Sequence, residues 1–196
     1  MKKGFLFVIS GPSGVGKTTL LREILKDRLL KDKLVKSISF TTRPKRVNEK
    51  DKKDYFFISK EEFKNKLKDK KILEWTRYLG YDYATPKDFV EEQLRQGRSV
   101  ILCLDFKGAS RIKSLYPQDS VTIFLKPPSL KVLEQRILKR SRGISGEELS
   151  RRLKIAKEEL SHYKKYDYWI LNKNLKQAIE QLKRIILAKV SLLKEV

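Results

Sequence analysis

The strongest constraint in this chain is an eight-residue stretch, Gly11-Pro12-Ser13-Gly14-Val15-Gly16-Lys17-Thr18, lying between an apolar run and an amphipathic segment. It satisfies G-x-x-x-x-G-K-[ST] at every defined position. Glycines here let successive backbone N–H groups point inward around phosphate oxygens, and a helix opening at Lys17 adds positive potential. Lys17 is placed to reach the outer phosphates of a nucleoside triphosphate, and the Thr18 hydroxyl suits Mg²⁺, a hard cation that takes oxygen ligands. The run Gly4–Ser10 ahead of the loop is continuously apolar, as a strand buried on both faces requires. An ordinary glycine turn before a helix is the competing explanation. The strand, loop and helix in that order argue against it.

The remainder of the chain predicts alternating strands and helices. Helices are expected over Lys17–Leu30, from Ser59 to about Lys70, after Pro86 to Gln96, over Gly108–Leu115, from Ser129 into the basic stretch at Lys139, over Glu147–Tyr163, and at the end of the chain. Strands are expected over Lys36–Phe40, Asp54–Ile58, Ile72–Trp75, Ser99–Leu104, Ser120–Leu125 and Tyr168–Leu171. Ser59-Lys60-Glu61-Glu62 is a capping box, and Gly97 is a stop signal. The pattern predicts an α/β fold with a mainly parallel sheet flanked by helices. Residues 39–85 break the alternation and read as a small β-rich insertion.

A length of 196 residues fits one domain, with room for small mobile subdomains. Hydrophobic residues at 40% supply a core despite 36% charge. No apolar run is long enough for a membrane span or a signal peptide, so the expectation is a cytoplasmic protein without membrane association. Cys103 is the single cysteine and His162 the single histidine, which excludes an intramolecular disulfide framework and a Cys/His metal site. The net charge of +22 favours polyanionic ligands, nucleotides or nucleic acid, although most of it reads as a solvated lysine surface. No helix-turn-helix, RNP-type or zinc signature supports specific nucleic-acid binding.

The acceptor is not set by the phosphate loop, which serves kinases, GTPases and ATPases alike. A GTPase would carry a guanine-reading N/T-K-x-D, and the chain has none. Ser39, Arg43, Arg46, Glu49 and Tyr55 form a second informative group, with Arg43 and Arg46 three apart and a tyrosine behind them. Two guanidinium forks and a phenol orient a phosphate monoester without covalent chemistry. Glu74, Tyr83, Thr85 and Asp105 then add carboxylates and hydroxyls. A carboxylate accepts from N1–H and N2–H₂ of guanine together, and Ser or Thr can donate to O6; adenine would leave these groups unpaired.

With the loop followed by S-x-T-T-R-x-x-R-x-x-E, D-Y-x-F, E-W, Y-x-T and a later Asp, the chain resembles the guanylate kinase family over essentially its whole length. The resemblance implies a P-loop nucleoside-monophosphate-kinase fold: a core of about 1–38, 86–126 and 160–196, a GMP-binding subdomain of about 39–85, and a helical lid of about 127–159. It implies ATP and GMP as substrates, with dGMP open, Mg²⁺ as cofactor held by Thr18, and a monomer or homodimer. Gly11, Pro12, Ser13, Gly14, Val15, Gly16, Lys17, Thr18, Thr19 and Asn172 would serve ATP. Arg43, Arg46, Tyr55 and Tyr83, with Glu49, would hold the monophosphate; Ser39, Glu74, Thr85 and Asp105 would surround guanine.

Among the arginines at 136, 140, 142, 151 and 152, the resemblance points to Arg140 and to Arg151 or Arg152, and Lys17, Arg140 and Arg152 are the expected catalytic set. Arginines that close over a transferring phosphoryl group are worth about 10³–10⁵ in rate. The chain departs from the family at several points, among them the lid, where the spacing is disturbed and the Thr-Glu pair after Arg-Gly is absent. Asn48 and Lys52 stand where glycines are usual, Ala84 replaces another, and Cys103 replaces the first acid of D-x-D. The remaining alternatives are a catalytically silent binding module on the same fold and a kinase for another phosphorylated acceptor. The intact loop argues against the first, the guanine set against the second.

Overall fold

The computed structural model describes residues 3–141 and 143–191, so Arg142 of the basic stretch lies outside them. Strand β1 (Leu6–Ser10) is buried along its whole length. It pairs in parallel with β7 (Ser99–Cys103) on one side and β8 (Ser120–Lys126) on the other. Strand β2 (Leu34–Lys36) adds beyond β7 and β9 (Tyr168–Leu171) beyond β8, giving a five-stranded parallel sheet in the order β2-β7-β1-β8-β9.

Alternation along the strands feeds two cores. Phe7, Ile9, Ile101 and Ile123 face α1 (Lys17–Ile24) and α7 (Leu175–Ser191), whereas Leu6, Val8, Val100 and Leu102 face α3 (Lys87–Arg95) and α4 (Phe106–Leu115). The central strand is therefore covered on both sides. This makes its C-terminal end, where the phosphate loop begins, a rigid platform.

The second sheet is smaller and has the order β4-β3-β6-β5, formed by β3 (Phe40–Thr41), β4 (Phe56–Phe57), β5 (Ile72–Tyr78) and β6 (Tyr81–Pro86). Helix α2 (Lys60–Lys68) starts at the Ser59 capping box, with both reciprocal hydrogen bonds formed. Helices α5 (Leu130–Arg140) and α6 (Gly146–Ser161) are capped by the hydroxyls of Ser129 and Ser145.

Three element boundaries differ from the sequence expectation. Helix α1 stops at Ile24 instead of Leu30, because the chain tightens into i−3 turns at Lys26 and Asp27. The Asp27 carboxylate accepts from the Leu29 N–H at 2.9 Å and pairs with Lys183 of α7 at 2.6 Å, a local alternative to helix. The single strand expected over Lys36–Phe40 is two strands in different sheets. Ser37 N–H still bonds the Ile101 carbonyl, and the chain then crosses to the second sheet at Phe40.

The strand expected to end at Trp75 continues to Tyr78 and turns into β6, which the sequence reading lacks. That turn places Leu79 (φ 51°) and Gly80 (φ 82°) in the left-handed region. Two-residue hairpins of this kind favour Asn-Gly, and a leucine hides the signal.

Lys52 explains one family departure. It sits at φ 60°, the conformation that glycine supplies without strain, while Asn48 is not among the positive-φ residues. A side chain in that region costs about 1–2 kcal/mol, offset in part by the 0.5–1 kcal/mol of extra chain entropy that glycine loses. Lys52→Gly is expected to raise Tm by about 1–4 °C, measured by calorimetry.

Candidate active site

Lys17 occupies the first position of α1, and its ammonium donates to the carbonyls of Gly11 and Pro12. The loop is held tightly from below. At Gly11 (φ 133°) an added Cβ would lie 2.4 Å from the Leu125 carbonyl oxygen, so only glycine lets the loop leave β1 over β8. The buried Asn172 donates its amide to the Val15 carbonyl at 2.8 Å, and Arg136 donates to the Val15 and Asn172 carbonyls at 3.3 and 3.4 Å. Asn172 thus braces the loop backbone from the end of β9. Thr18 is exposed in the first turn of α1, beside the half-exposed Thr19.

Above the loop, Arg140 at the end of α5 donates to the Ser13 hydroxyl at 3.2 Å. Burial and the neighbouring Arg46 and Arg152 guanidinium groups depress its pKa. Three guanidinium groups from α5, α6 and the β3–β4 loop therefore converge, an arrangement that a polyanion relieves. Arg152 is 7% exposed and ion-paired with Glu148. Tyr78, at the tip of β5, also arrives here, with Ser13, Glu159 and Arg152 around it; burial pushes its phenol up to about 12. No sequence motif announces Tyr78.

The second sheet carries the other half of the site. Arg43 donates from Nη2 to both Glu49 carboxylate oxygens at 2.8 and 2.9 Å and from Nε to the Tyr83 hydroxyl at 3.2 Å, and lies over the rings of Tyr55 and Phe57. Glu49 also accepts the Arg46 backbone N–H at 2.9 Å, so one carboxylate sets the orientation of both arginine positions. Tyr55 and Tyr83 pack edge to face at 5.9 Å. Burial raises the Tyr55 phenol to about 12, which keeps it a neutral donor.

Glu74 and Thr85 are cross-strand partners on β5 and β6, 4% and 0% exposed, and the Thr85 hydroxyl donates to Glu74 Oε1 at 2.5 Å. A register irregularity just before Glu74 re-aims it out of the strand. Its other oxygen lies against the first turn of α4, where a Cβ on Gly108 would be 2.7 Å away. Asp105 caps that helix by accepting from the Gly108 N–H at 2.9 Å. Ser39 is half-buried, next to β3. Burial, and secondarily Asp105, push the Glu74 carboxyl up to about 7, against the hydrogen bond from Thr85. Cys103 is half-buried at the end of β7, with Lys17 and Lys36 as its charged neighbours.

Glycine-rich loop, converging arginines and an inserted sheet that carries Arg43, Tyr83 and the Glu74–Thr85 pair together define a P-loop phosphotransferase. A family model described as guanylate kinase matches residues 3–189. A guanylate kinase of Thermotoga maritima is 45% identical over 184 residues, covering 94% of this chain and 86% of that protein. The crystal structure of guanylate kinase from Anaplasma phagocytophilum superposes with a TM-score of 0.78 at 31% identity, covering 96% and 87%. A gluconokinase from Sinorhizobium meliloti, at TM-score 0.54 and 13% identity over 99% of this chain and 98% of that one, shares the fold alone. The chain belongs to the guanylate kinase family.

Proposed function

We propose that this protein transfers the γ-phosphoryl group of ATP to GMP, giving ADP and GDP, with Mg²⁺ bound alongside the nucleotide. A GMP phosphate oxygen forms the new bond to phosphorus while the bond to the β–γ bridging oxygen breaks, leaving its electrons on ADP. The observation that carries the choice of acceptor is Glu74: a buried carboxylate, fixed by the Thr85 hydroxyl, which can accept from guanine N1–H and N2–H₂ together.

Arg43, Arg46, Tyr55 and Tyr83 hold the GMP phosphate, with Glu49 fixing the arginines. Ser39, Thr85, Glu74 and Asp105 surround the base. The loop backbone and Lys17 hold ATP, with Asn172 bracing the loop. Arg140 and Arg152 meet the charge that spreads over the transferring group. Residues 127–159 serve as the lid that excludes water, 39–85 as the GMP-binding subdomain, and the remainder as the core.

The donor set fits Mg²⁺. Thr18 offers a hard oxygen, and among the described residues no cluster of three or more His, Cys, Asp or Glu forms a cage of its own. That agrees with a cation that takes one or two protein oxygens and completes its shell from phosphates and water. When bound, it neutralises charge on the phosphates. Among the described residues no helix is long and apolar enough to cross a membrane.

The raised Glu74 pKa sets a pH dependence. Guanine N1–H and N2–H₂ need the ionised carboxylate, so kcat/KM for GMP is expected to be flat above pH about 7 and to fall about tenfold per unit below it. The substrate phosphate titrates nearer 6. A pH profile lacking the limb near 7 would remove Glu74 from base binding. The function itself is tested by ADP formation that depends on added GMP.

A further inference from the structure

Helix α6 turns two charged side chains inward on one face, Arg152 and Glu159, seven residues apart and only 7% and 8% exposed. Arg152 is partly satisfied by Glu148 and Ser141. Glu159 Oε2 has no hydrogen-bond partner. A buried acceptor left without a donor costs about 1–3 kcal/mol, more when charged, so such an oxygen points to something it receives in the working protein.

The charged groups facing Glu159 are Lys17 of the phosphate loop, Asp105 at the start of α4, and Glu158 beside it on α6; Tyr78 and Tyr166 face it from β5 and from just before β9. Lys17, the first residue of α1, is the cation among these neighbours. The end of β7 is close to it as well, where Cys103 has Lys17 and Lys36 as its charged neighbours. Lys17 thus has a thiol and a carboxylate with an unpartnered oxygen among its neighbours.

Resting on the proposed function, we infer that Glu159 is a positioning residue which, from the lid helix, supplies the carboxylate that the end of β7 lacks, orienting Lys17 and the water shell of nucleotide-bound Mg²⁺. Outer-shell acceptors of this kind fix bound waters, and their loss typically costs 10–100-fold in metal affinity. Placing the acid on α6 means that the cation site is complete only while that helix covers the loop. Nucleotide with Mg²⁺ then favours the covered state.

The test uses the full chain and two readouts. Binding of a fluorescent ATP analogue without GMP is titrated with Mg²⁺, and steady-state rates are measured with Mg²⁺ and GMP varied separately. Glu159→Gln is expected to raise the Mg²⁺ concentration for half-maximal nucleotide binding about 10–100-fold while leaving KM for GMP unchanged. Adding Cys103→Asp in the Glu159→Gln background should restore most of that loss, because Lys17 and Lys36 stand ready to pair a carboxylate there.

An unaltered Mg²⁺ titration in Glu159→Gln overturns the inference. So does a loss that Cys103→Asp leaves in place, or a fall in Tm that weakens GMP and nucleotide binding alike, which would mark Glu159 as structural only. If the wild-type chain bound nucleotide with Mg²⁺ but made no GDP, the proposed function would fail while the binding titration still decided the role of Glu159.

Discussion

Replacing Glu74 by glutamine should lower kcat/KM for GMP by about tenfold to more than a hundredfold, the 1.5–3 kcal/mol of a hydrogen bond to a charged group. Glutamine keeps the shape and can still accept from Thr85, but it turns an NH₂ donor toward a guanine donor. KM for ATP should be unchanged, since the loop proposed to hold ATP follows β1 of the other sheet. Stability separates this account from a purely structural one. At pH 8, above its raised pKa of about 7, Glu74 is a buried charge whose ionisation costs folding free energy. Its folded pKa exceeds the unfolded one, so that cost grows as pH rises from the ordinary carboxylate range through about 7. Glu74→Gln should therefore hold or raise Tm at pH 8 while losing GMP. A variant that kept wild-type kcat/KM for GMP would remove the main reason for choosing guanine.

Lys17→Ala should lower kcat by about three orders of magnitude or more, at saturating ATP, Mg²⁺ and GMP. The Lys17 ammonium bonds the Gly11 and Pro12 carbonyls, and its side chain takes no part in the hydrophobic core. The half-exposed side chain packs little, so the thermal transition should stay within a few degrees of wild type. Near-native turnover by this variant would contradict phosphate stabilisation by the loop.

These two residues also mark what was legible in the sequence. Lys17 was readable because the loop motif is local: eight consecutive residues, with a buried strand before and a helix after, dictate one backbone path. The strands of the parallel sheet were readable for a similar reason, since β1, β7 and β8 are continuous apolar runs buried on both faces. Glu74 was readable as a candidate, but not its pairing with Thr85, because β6 and its Leu79-Gly80 turn carry no Asn-Gly signal. The split of the strand expected over Lys36–Phe40 depends on which neighbours each half finds, a tertiary fact absent from local propensity.

Tyr78 and Glu159 were missed altogether. Neither belongs to a motif; each matters because the fold brings a hairpin tip or a helix face to Ser13 and Lys17. Arg136 was visible only as one arginine among five, and its place against the Val15 carbonyl distinguishes it from Arg140, which reaches the Ser13 hydroxyl. Asn172 carried no local signal for its bond to the loop. Its partner lies 157 residues earlier in the chain.

The central claim is the acceptor, and ADP formation measured with ATP and Mg²⁺ against GMP, AMP, CMP and UMP in turn tests it most directly. Rapid, saturable ADP release is expected with GMP and a kcat/KM for AMP lower by about 10⁴ or more, because adenine N1 is an acceptor and would set a lone pair against the Glu74 carboxylate. Equal use of AMP and GMP, or ADP release indifferent to any added monophosphate, would contradict it.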